Sequence, residues 1–189
     1  SIIPGSIDIN IMSKADKNNY GPDGKLLPAE YSVAMSALRG YALSKLKSSV
    51  IFSAGYNPRL YQYITSFPDF FPDEKGEINK KVVLKVSDYR SAETQGKFLA
   101  KKGIWVSEFR IESGLNCGGH AFATQGLLLG PILNEFKKQR DTLYTELLLM
   151  CNASLTNSGK NLLPERIEQK ITVQGGIGTH YEDEFLRKY

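Results

Sequence analysis

The run Val82-Val-Leu-Lys-Val86 predicts a β-strand, because every side chain in it except Lys85 is aliphatic. Apolar residues at helical spacing follow from Ser91 to Lys102, and a second strand-like run extends from Trp105 to Ser113. A strand, a helix and a strand in this order form the unit of a parallel sheet with crossover helices. The chain is therefore predicted to be an α/β protein.

The same alternation of strands and helices continues on both sides of this unit. Further strands are predicted at Ile7–Met12, Val50–Ala54 and Ile171–Gln174. Helices are predicted over Pro28–Lys47, after the N-cap residue Asn57, and from Glu182 to Tyr189. One or two further helices are predicted over Leu127–Cys151, followed by a polar connection over Asn152–Pro164. No repeat or linker divides the chain, so roughly five βα units are expected to form one domain over residues 1–189. A complete (β/α)₈ barrel needs about 250 residues, so any barrel would be incomplete.

Composition narrows the functional classes. The net charge of +4 over 189 residues is small, and basic residues are interspersed with acidic ones. The sequence therefore shows no basic patch of the kind that binds nucleic acids. Cys117 and Cys151 lack metal-ligand spacing, which favours a reducing compartment over a disulfide or metal site. No apolar run approaches the ~20 residues of a membrane span. We expect a cytoplasmic protein, and the missing initiator methionine suggests a processed, excised or incompletely represented chain.

Small, amide-bearing and basic residues follow the predicted strands. Ligands of parallel α/β folds bind where strands end at their carboxyl edge. These residues leave room for a planar ligand and supply hydrogen bonds to it. The candidate positions at strand exits are Asn10, Lys85, Ser113, Gly114, Gly118, Gly119 and Gln174.

Two glycine-rich segments each precede a histidine. Gly175, Gly176, Gly178 and Thr179 lead into an acidic helix start, which is typical of a phosphate cradle, although such a segment can also be an ordinary turn. His120 follows Gly118 and Gly119, and is either an acid–base residue or a hydrogen-bonded loop histidine.

Lysine and cysteine side chains near the strand ends leave further alternatives open. Lys85 is either functional or a strand-end lysine that extends to solvent. Cys117 is either a reactive thiol or a small packed side chain. The aromatic residues Phe67, Phe70 and Phe71 are expected to anchor a loop, with a lid over a pocket as the alternative.

The succession of these motifs resembles the central part of the nitronate monooxygenase (2-nitropropane dioxygenase) family. Gly114-Leu-Asn-Cys-Gly-Gly-His120 keeps the Gly-x-x-x-Gly-Gly-His spacing of the family's active-site loop, and Ile171-Thr-Val-Gln-Gly-Gly-Ile-Gly178 is similar to its phosphate-binding strand exit. Asp8-Ile-Asn-Ile11 and Val50-Ile-Phe-Ser-Ala-Gly-Tyr-Asn-Pro58 resemble two earlier strands. The likeness covers most of the chain, but only the first two motifs are specific.

The resemblance implies an incomplete TIM-type barrel and an FMN-dependent oxidoreductase that acts on a small organic substrate. His120 would be catalytic, the segment Gly175–Thr179 would hold the FMN phosphate, and Asn10, Lys85 and Ser113–Gly114 would lie near the ring. The protein could form an oligomer. Neither a bound metal nor a membrane partner is expected. Asn116-Cys117 departs from the family's usual Glu-Ala, Cys151–Pro164 is longer than expected, and the first two strands and the eighth have no counterpart.

Three alternatives remain beside a nitronate monooxygenase. A longer, glutamate-synthase-like flavoprotein subgroup fits the same motifs. A phosphate-substrate barrel enzyme without flavin would use Lys85 as a Schiff-base nucleophile. A catalytically silent α/β module would serve binding or assembly.

Overall fold

Five parallel strands alternate with helices in a computed structural model that describes residues 5–13, 16–53, 55–112, 129–175 and 177–189. Each strand pairs with the strand that follows it in the chain, so the order is β1-β2-β3-β4-β5. The strands are β1 Ile9–Met12, β2 Ser49–Ser53, β3 Lys81–Val86, β4 Val106–Glu112 and β5 Lys170–Gln174. The helices are α1 Val33–Ala42, α2 Pro58–Ile64, α3 Tyr89–Ala100, α4 Leu129–Asn157 and α5 His180–Lys188. The predicted α/β class is confirmed, and the sheet is compatible with part of a β/α barrel.

The register of the strands separates two faces of the sheet, because residues paired on neighbouring strands point to the same side. Phe52 pairs with Leu84, and Leu84 pairs with Phe109. These three side chains belong to one buried cluster with residues of α1 to α4, and we call this side the apolar face. The opposite side, which we call the polar face, carries Asn10, Ser53, Lys85, Glu108, Arg110, Glu112, Thr172 and Gln174.

Helices α3 and α4 pack closely over the apolar face. A Cβ atom at Gly96 would lie 3.0 Å from Cζ of Phe109 and 3.1 Å from Cδ1 of Leu147, so glycine permits this approach. Lys97 of α3 bridges Glu93 of its own helix at 2.7 Å and Glu146 of α4 at 2.9 Å. The two helices are thus joined by apolar contact inside and by ion pairs outside.

The predicted single helix over Pro28–Lys47 is wrong at both ends. A short 3₁₀ turn occupies Ala29–Tyr31, and α1 begins after the N-cap Ser32, whose hydroxyl accepts from the N–H of Met35 at 3.4 Å. After α1, Lys80 is only 1% exposed and donates to the carbonyls of Ser44 at 3.0 Å and Leu46 at 2.7 Å. Helix α1 ends at Ala42, and Lys80 holds the non-helical chain beyond it through these two carbonyls.

The prediction of a polar connection from Asn152 is also wrong, because α4 continues to Asn157. Buried side chains at four-residue intervals extend the helix beyond Cys151 to Leu155, which is fully buried. The hydroxyl of Thr156 donates to the carbonyl of Asn152 at 2.8 Å, so this polar side chain is satisfied inside the helix.

The aromatic residues after α2 lie against the core rather than over an opening. Phe67, Phe70 and Phe71 are all buried, and the ring of Phe70 meets that of Tyr41 edge-on at 6.1 Å. The loop-anchoring prediction is confirmed. Within the described ranges, no helix has the length and apolarity required to cross a membrane.

Candidate functional site

Three side chains join the carboxyl ends of β3, β4 and β5 on the polar face. Nζ of Lys85 lies 2.7 Å from Oε2 of Glu112, and Nε2 of Gln174 donates to Oε1 of the same carboxylate at 3.1 Å. The side chains of Lys85 and Glu112 are 12% and 18% exposed. Both oxygens of Glu112 are therefore used, one for each neighbouring strand.

The carboxyl ends of β1 and β2 are joined by uncharged groups. The hydroxyl of Ser53 donates to Oδ1 of Asn10 at 2.7 Å. The hydroxyl of Ser13 lies 2.8 Å from the carbonyl oxygens of both Ser53 and Gly55, and Nδ2 of Asn57 donates to the carbonyl of Ser13 at 3.1 Å. Asn57 also caps α2, as predicted, by accepting from Leu60 N–H. These bonds fix the two strand exits relative to each other.

Three donors at the start of α5 converge on one carboxylate oxygen. Oε2 of Glu182 accepts from the N–H of Gly178 at 2.8 Å, the N–H of Thr179 at 2.9 Å and the hydroxyl of Thr179 at 3.1 Å. These bonds, that from Gly178 foremost, lower the pKa of the Glu182 carboxyl below its ordinary value. Before them, Gly175 has a φ of 82°, which a side chain would strain. The N–H of Glu182 in turn donates to the hydroxyl oxygen of Thr179 at 3.3 Å, so these bonds form a capping box in which Glu182 uses the donors of the predicted cradle.

Several predicted site residues lie outside the described residues. They are Ser113, Gly114, Gly118, Gly119, Gly176 and His120, together with Cys117. His180 is described as the first residue of α5, where its ring is exposed and lies 3.7 Å from Glu184. The structure brings Lys85 and Gln174 together through Glu112, and places Asn10 beside Ser53.

Sequence reasoning missed Glu112 as the partner of Lys85 and Gln174 at this edge. Glu112 was considered only as the end of a strand run, although it follows Arg110 and Glu108 at two-residue spacing on one face. A strand with charges at every second position needs partners on its neighbours. That pattern could have indicated a partner for Lys85.

Lys85 does not extend to solvent. Its ammonium is held by Glu112 below the surface of the edge, so the alternative of a strand-end lysine in water is wrong. The contact is a charge-assisted hydrogen bond between neighbouring strands.

A cavity of about 630 Å³ opens at the opposite, amino edge of the polar face. It is lined in part by Ser49, Lys81 and Lys170, the first residues of their strands, and by Glu168. Glu168 lies 3.3 Å from the ammonium of Lys170 and 4.0 Å from that of Lys81. The acidic and basic side chains that line the cavity are matched in number, and the cavity lies away from the residues predicted to bind a ligand.

Among the residues that the structure describes, no three His, Cys, Asp or Glu side chains are grouped to hold a metal ion. No protein-family model, curated protein or solved structure matches the chain.

Proposed function

We propose that this protein is an FMN-dependent oxidoreductase acting on a small organic substrate, built on part of a TIM-type barrel. The observation that carries the proposal is the row of hydrogen-bonding side chains along the carboxyl edge of one parallel sheet, from Asn10 to Gln174. The motif resemblance supplies the identity of the ligand.

The strand order supports the barrel. Each strand lies beside its successor, and right-handed crossovers then place all connecting helices on one side of the sheet. A doubly wound sheet would instead reverse its order and carry helices on both faces. In such a barrel the polar face, opposite the helix-covered one, would face the interior.

The start of α5 fits a phosphate on one condition. Its three donors are aimed at a single anionic oxygen, which is the arrangement that a phosphate oxygen requires. Glu182 holds that position, so a phosphate would take its place among the donors of Gly178 and Thr179 and displace the side chain. The displacement is local, because Glu182 is on the surface.

The remaining polar residues fit the ring of FMN. Asn10 and Gln174 carry amides, Lys85 carries a fixed positive charge, and all lie along one edge. FMN would supply the redox chemistry when bound, since no protein side chain transfers hydride readily. By resemblance, His120 would hold or move the substrate proton.

The pairing of Lys85 argues against the flavin-independent alternative. A Schiff-base lysine must attack as a neutral amine, whereas Lys85 is paired with Glu112 at 2.7 Å. Borohydride trapping with carbonyl substrates is therefore expected to leave no adduct at Lys85.

The proposal is tested by titrating the purified protein with FMN and with riboflavin while recording flavin fluorescence. FMN is expected to bind at least about tenfold more tightly, because the phosphate adds charge-assisted hydrogen bonds. Thr179→Val removes one donor and should weaken FMN binding several-fold without affecting riboflavin, whereas Thr145→Val on the surface of α4 is the matched control. A protein that leaves the fluorescence of both flavins unchanged contradicts the proposal.

The catalytic assignment is tested separately by oxygen consumption with alkyl nitronates. His120→Ala should retain FMN and lose about 100-fold or more in turnover, the usual effect of removing an acid–base residue. If the variant keeps the parent's turnover, His120 is not the catalytic residue. If the parent itself binds FMN and turns over no nitronate or related substrate, the protein is a binding module instead.

A further inference from the structure

We infer that helix α5 is the contact surface of a homodimer, in which two copies of the chain pack α5 against α5 in antiparallel orientation. The contact is made by the aromatic stripe, which we define as Tyr181 and Phe185 of α5 and its C-cap residue Tyr189. The inference goes beyond the proposed function and requires no flavin.

The aromatic stripe lies along one side of α5, because its residues are four positions apart. Tyr181 is 81% exposed, Phe185 60% and Tyr189 38%, and the ring centres of Phe185 and Tyr189 are 5.3 Å apart. None of the residues of α5, all of which the structure describes, is buried. A continuous exposed aromatic surface of this kind marks a contact with another molecule.

The polar contacts described for α5 hold its two ends. The capping box of Thr179 and Glu182 fixes the first turn. At the other end, the hydroxyl of Tyr189 lies 3.3 Å from Oδ1 of Asn134 on α4, and the ammonium of Lys137 lies 3.9 Å from the centre of the Tyr189 ring. A helix as short as α5 is only marginally stable in water without packing, and a second copy of α5 would supply that packing.

The stripe is symmetric about Phe185, because Tyr181 and Tyr189 lie four residues to either side of it. A two-fold axis at Phe185 brings the two Phe185 rings together and places Tyr181 of each copy against Tyr189 of the other. Aromatic pairs contribute to binding beyond the area that they bury. The stripe is therefore complementary to itself, which is the requirement of a two-fold dimer.

The charges of α5 favour the antiparallel orientation. The helix begins with Glu182, Asp183 and Glu184 and ends with Arg187 and Lys188. Because an α-helix turns about 100° per residue, Glu184 and Lys188 lie on the same flank of the stripe. Antiparallel packing brings Glu184 of each copy next to Lys188 of the other, whereas parallel packing would bring like charges together.

The exposed area sets the expected affinity. An aromatic side chain has about 150–250 Å² of surface, so covering the exposed parts of the stripe on both copies removes roughly 700 Å² from water. Stable interfaces bury about 1,200–2,000 Å² in total. We therefore expect a weak dimer with a Kd of about 10–100 μM, which forms as the protein is concentrated.

Sedimentation velocity of the whole protein without flavin, between about 1 and about 300 μM, measures this dissociation constant. The parent should change from monomer to dimer over this range. Phe185→Ser removes the ring at the two-fold axis and should weaken the dimer at least about tenfold, because central aromatic residues dominate such contacts. Leu149→Ser removes a similarly exposed apolar side chain from α4 and should keep the parent's dissociation constant.

Charge exchange tests the orientation. Lys188→Glu places like charges on each flank of the contact and should weaken the dimer about tenfold at low salt. Glu184→Lys combined with Lys188→Glu restores opposite charges across an antiparallel contact and should return the dissociation constant to within about threefold of the parent's. Lys101→Glu, at the exposed C-cap of α3, changes the net charge as Lys188→Glu does and is the control.

Unfolding by urea separates a contact between copies from a contribution to the fold. At about 1 μM the protein should be monomeric, and the free energy of unfolding then depends on the single chain. Phe185→Ser should leave this free energy unchanged, because Phe185 is exposed in the single chain.

Each part of the inference has a result that overturns it. A parent that remains monomeric up to about 300 μM refutes the dimer. A dimer with the same dissociation constant in Phe185→Ser refutes the role of the stripe. A charge-exchanged variant that remains as weak as Lys188→Glu refutes the antiparallel orientation. These measurements contain no flavin, so failure of the proposed function would leave them unchanged.

Discussion

The two faces of the sheet are built from the same five strands and differ in almost every physical respect. The apolar face, with Phe52, Leu84 and Phe109, is covered by helices and is almost fully buried. The polar face pairs Lys85 with Glu112 and Arg110 with Glu108, and these side chains are only partly covered. One face loses water completely, whereas the other keeps hydrogen-bonding groups available.

This difference separates stability from binding. Burial of apolar area stabilises a fold by about 25 cal/mol per Å². Partly buried ion pairs contribute little in net terms, because desolvation offsets their attraction. We therefore expect substitutions on the apolar face to change the free energy of unfolding, and those at the carboxyl edge of the polar face to change ligand binding.

The largest effect is expected for Phe109→Ala. Phe109 is fully buried, contacts Gly96 of α3 across the apolar face, and would leave a cavity that the packed helices cannot fill. Unfolding by urea should show a loss of about 3–5 kcal/mol in the free energy of unfolding. Phe185→Ala, on the exposed surface of α5, is the control and should change it little. A loss below about 1 kcal/mol would show that the apolar face does not carry the stability.

Lys85→Met is expected to lower the free energy of unfolding by about 2 kcal/mol, because it leaves the carboxylate of Glu112 partly buried without its cation. Lys85→Met combined with Glu112→Leu should recover to within about 1 kcal/mol of the parent, since no charge then remains. The double variant should nevertheless lose flavin binding. Urea unfolding of the parent, the two single variants and the double variant gives the coupling energy between the two residues. If the double variant loses as much free energy of unfolding as the two single variants together, the pair is not coupled and the expected recovery is wrong.

The apolar face was predictable from sequence to a large extent. Runs rich in aliphatic and aromatic residues, such as Val82–Val86, identified every strand to within two residues at either end, because the side of a strand that lies beneath helices must be apolar. Helix ends were less predictable. Lys80, remote in sequence, binds the carbonyls of Ser44 and Leu46 in the non-helical segment after α1, where the sequence pattern predicts a helix.

The polar face was predictable only in part. The positions of Asn10, Lys85 and Gln174 at strand ends followed from the strand assignments alone. Their partners depend on register, and a shift of one residue would turn Glu112 to the other face. The role of Glu182 was missed for a related reason, because glycine spacing indicates a cradle without indicating what fills it.

Gly96→Ala probes how tightly the apolar face is packed, with an expected loss of about 1 kcal/mol. The added methyl group would approach Phe109 and Leu147 at 3.0 and 3.1 Å, and such overpacking costs about 1–3 kcal/mol. Alanine favours the helix by about 1 kcal/mol over glycine, which offsets part of that cost. Gly40→Ala in α1 meets no atom within 4 Å and is the control, expected to stabilise. Equal stabilisation by both would indicate a loosely packed α3–α4 contact.

The smallest effect is expected for Glu108→Gln, and it depends on pH. Burial alone would raise the pKa of Glu108, but hydrogen bonds from Arg110 and Thr172 outweigh it and hold the pKa below its ordinary value. A lowered carboxyl pKa stabilises the fold at neutral pH, and this contribution disappears as the pH falls through the native value. The free energy of unfolding of the parent, measured with urea, should therefore exceed that of Glu108→Gln by up to about 1 kcal/mol at pH 7. This difference should shrink below about pH 4.

Arg110→Met provides the background that isolates this effect. Without the guanidinium, the stabilising bond at 2.8 Å is lost and burial acts on Glu108 with less opposition. The advantage of Glu108 over Gln at pH 7 should then be smaller, and should fall less on acidification. A difference that grows toward low pH in the parent would mean that desolvation dominates at Glu108. The polar face would then oppose folding at this position, and its charges would have to be retained for binding alone.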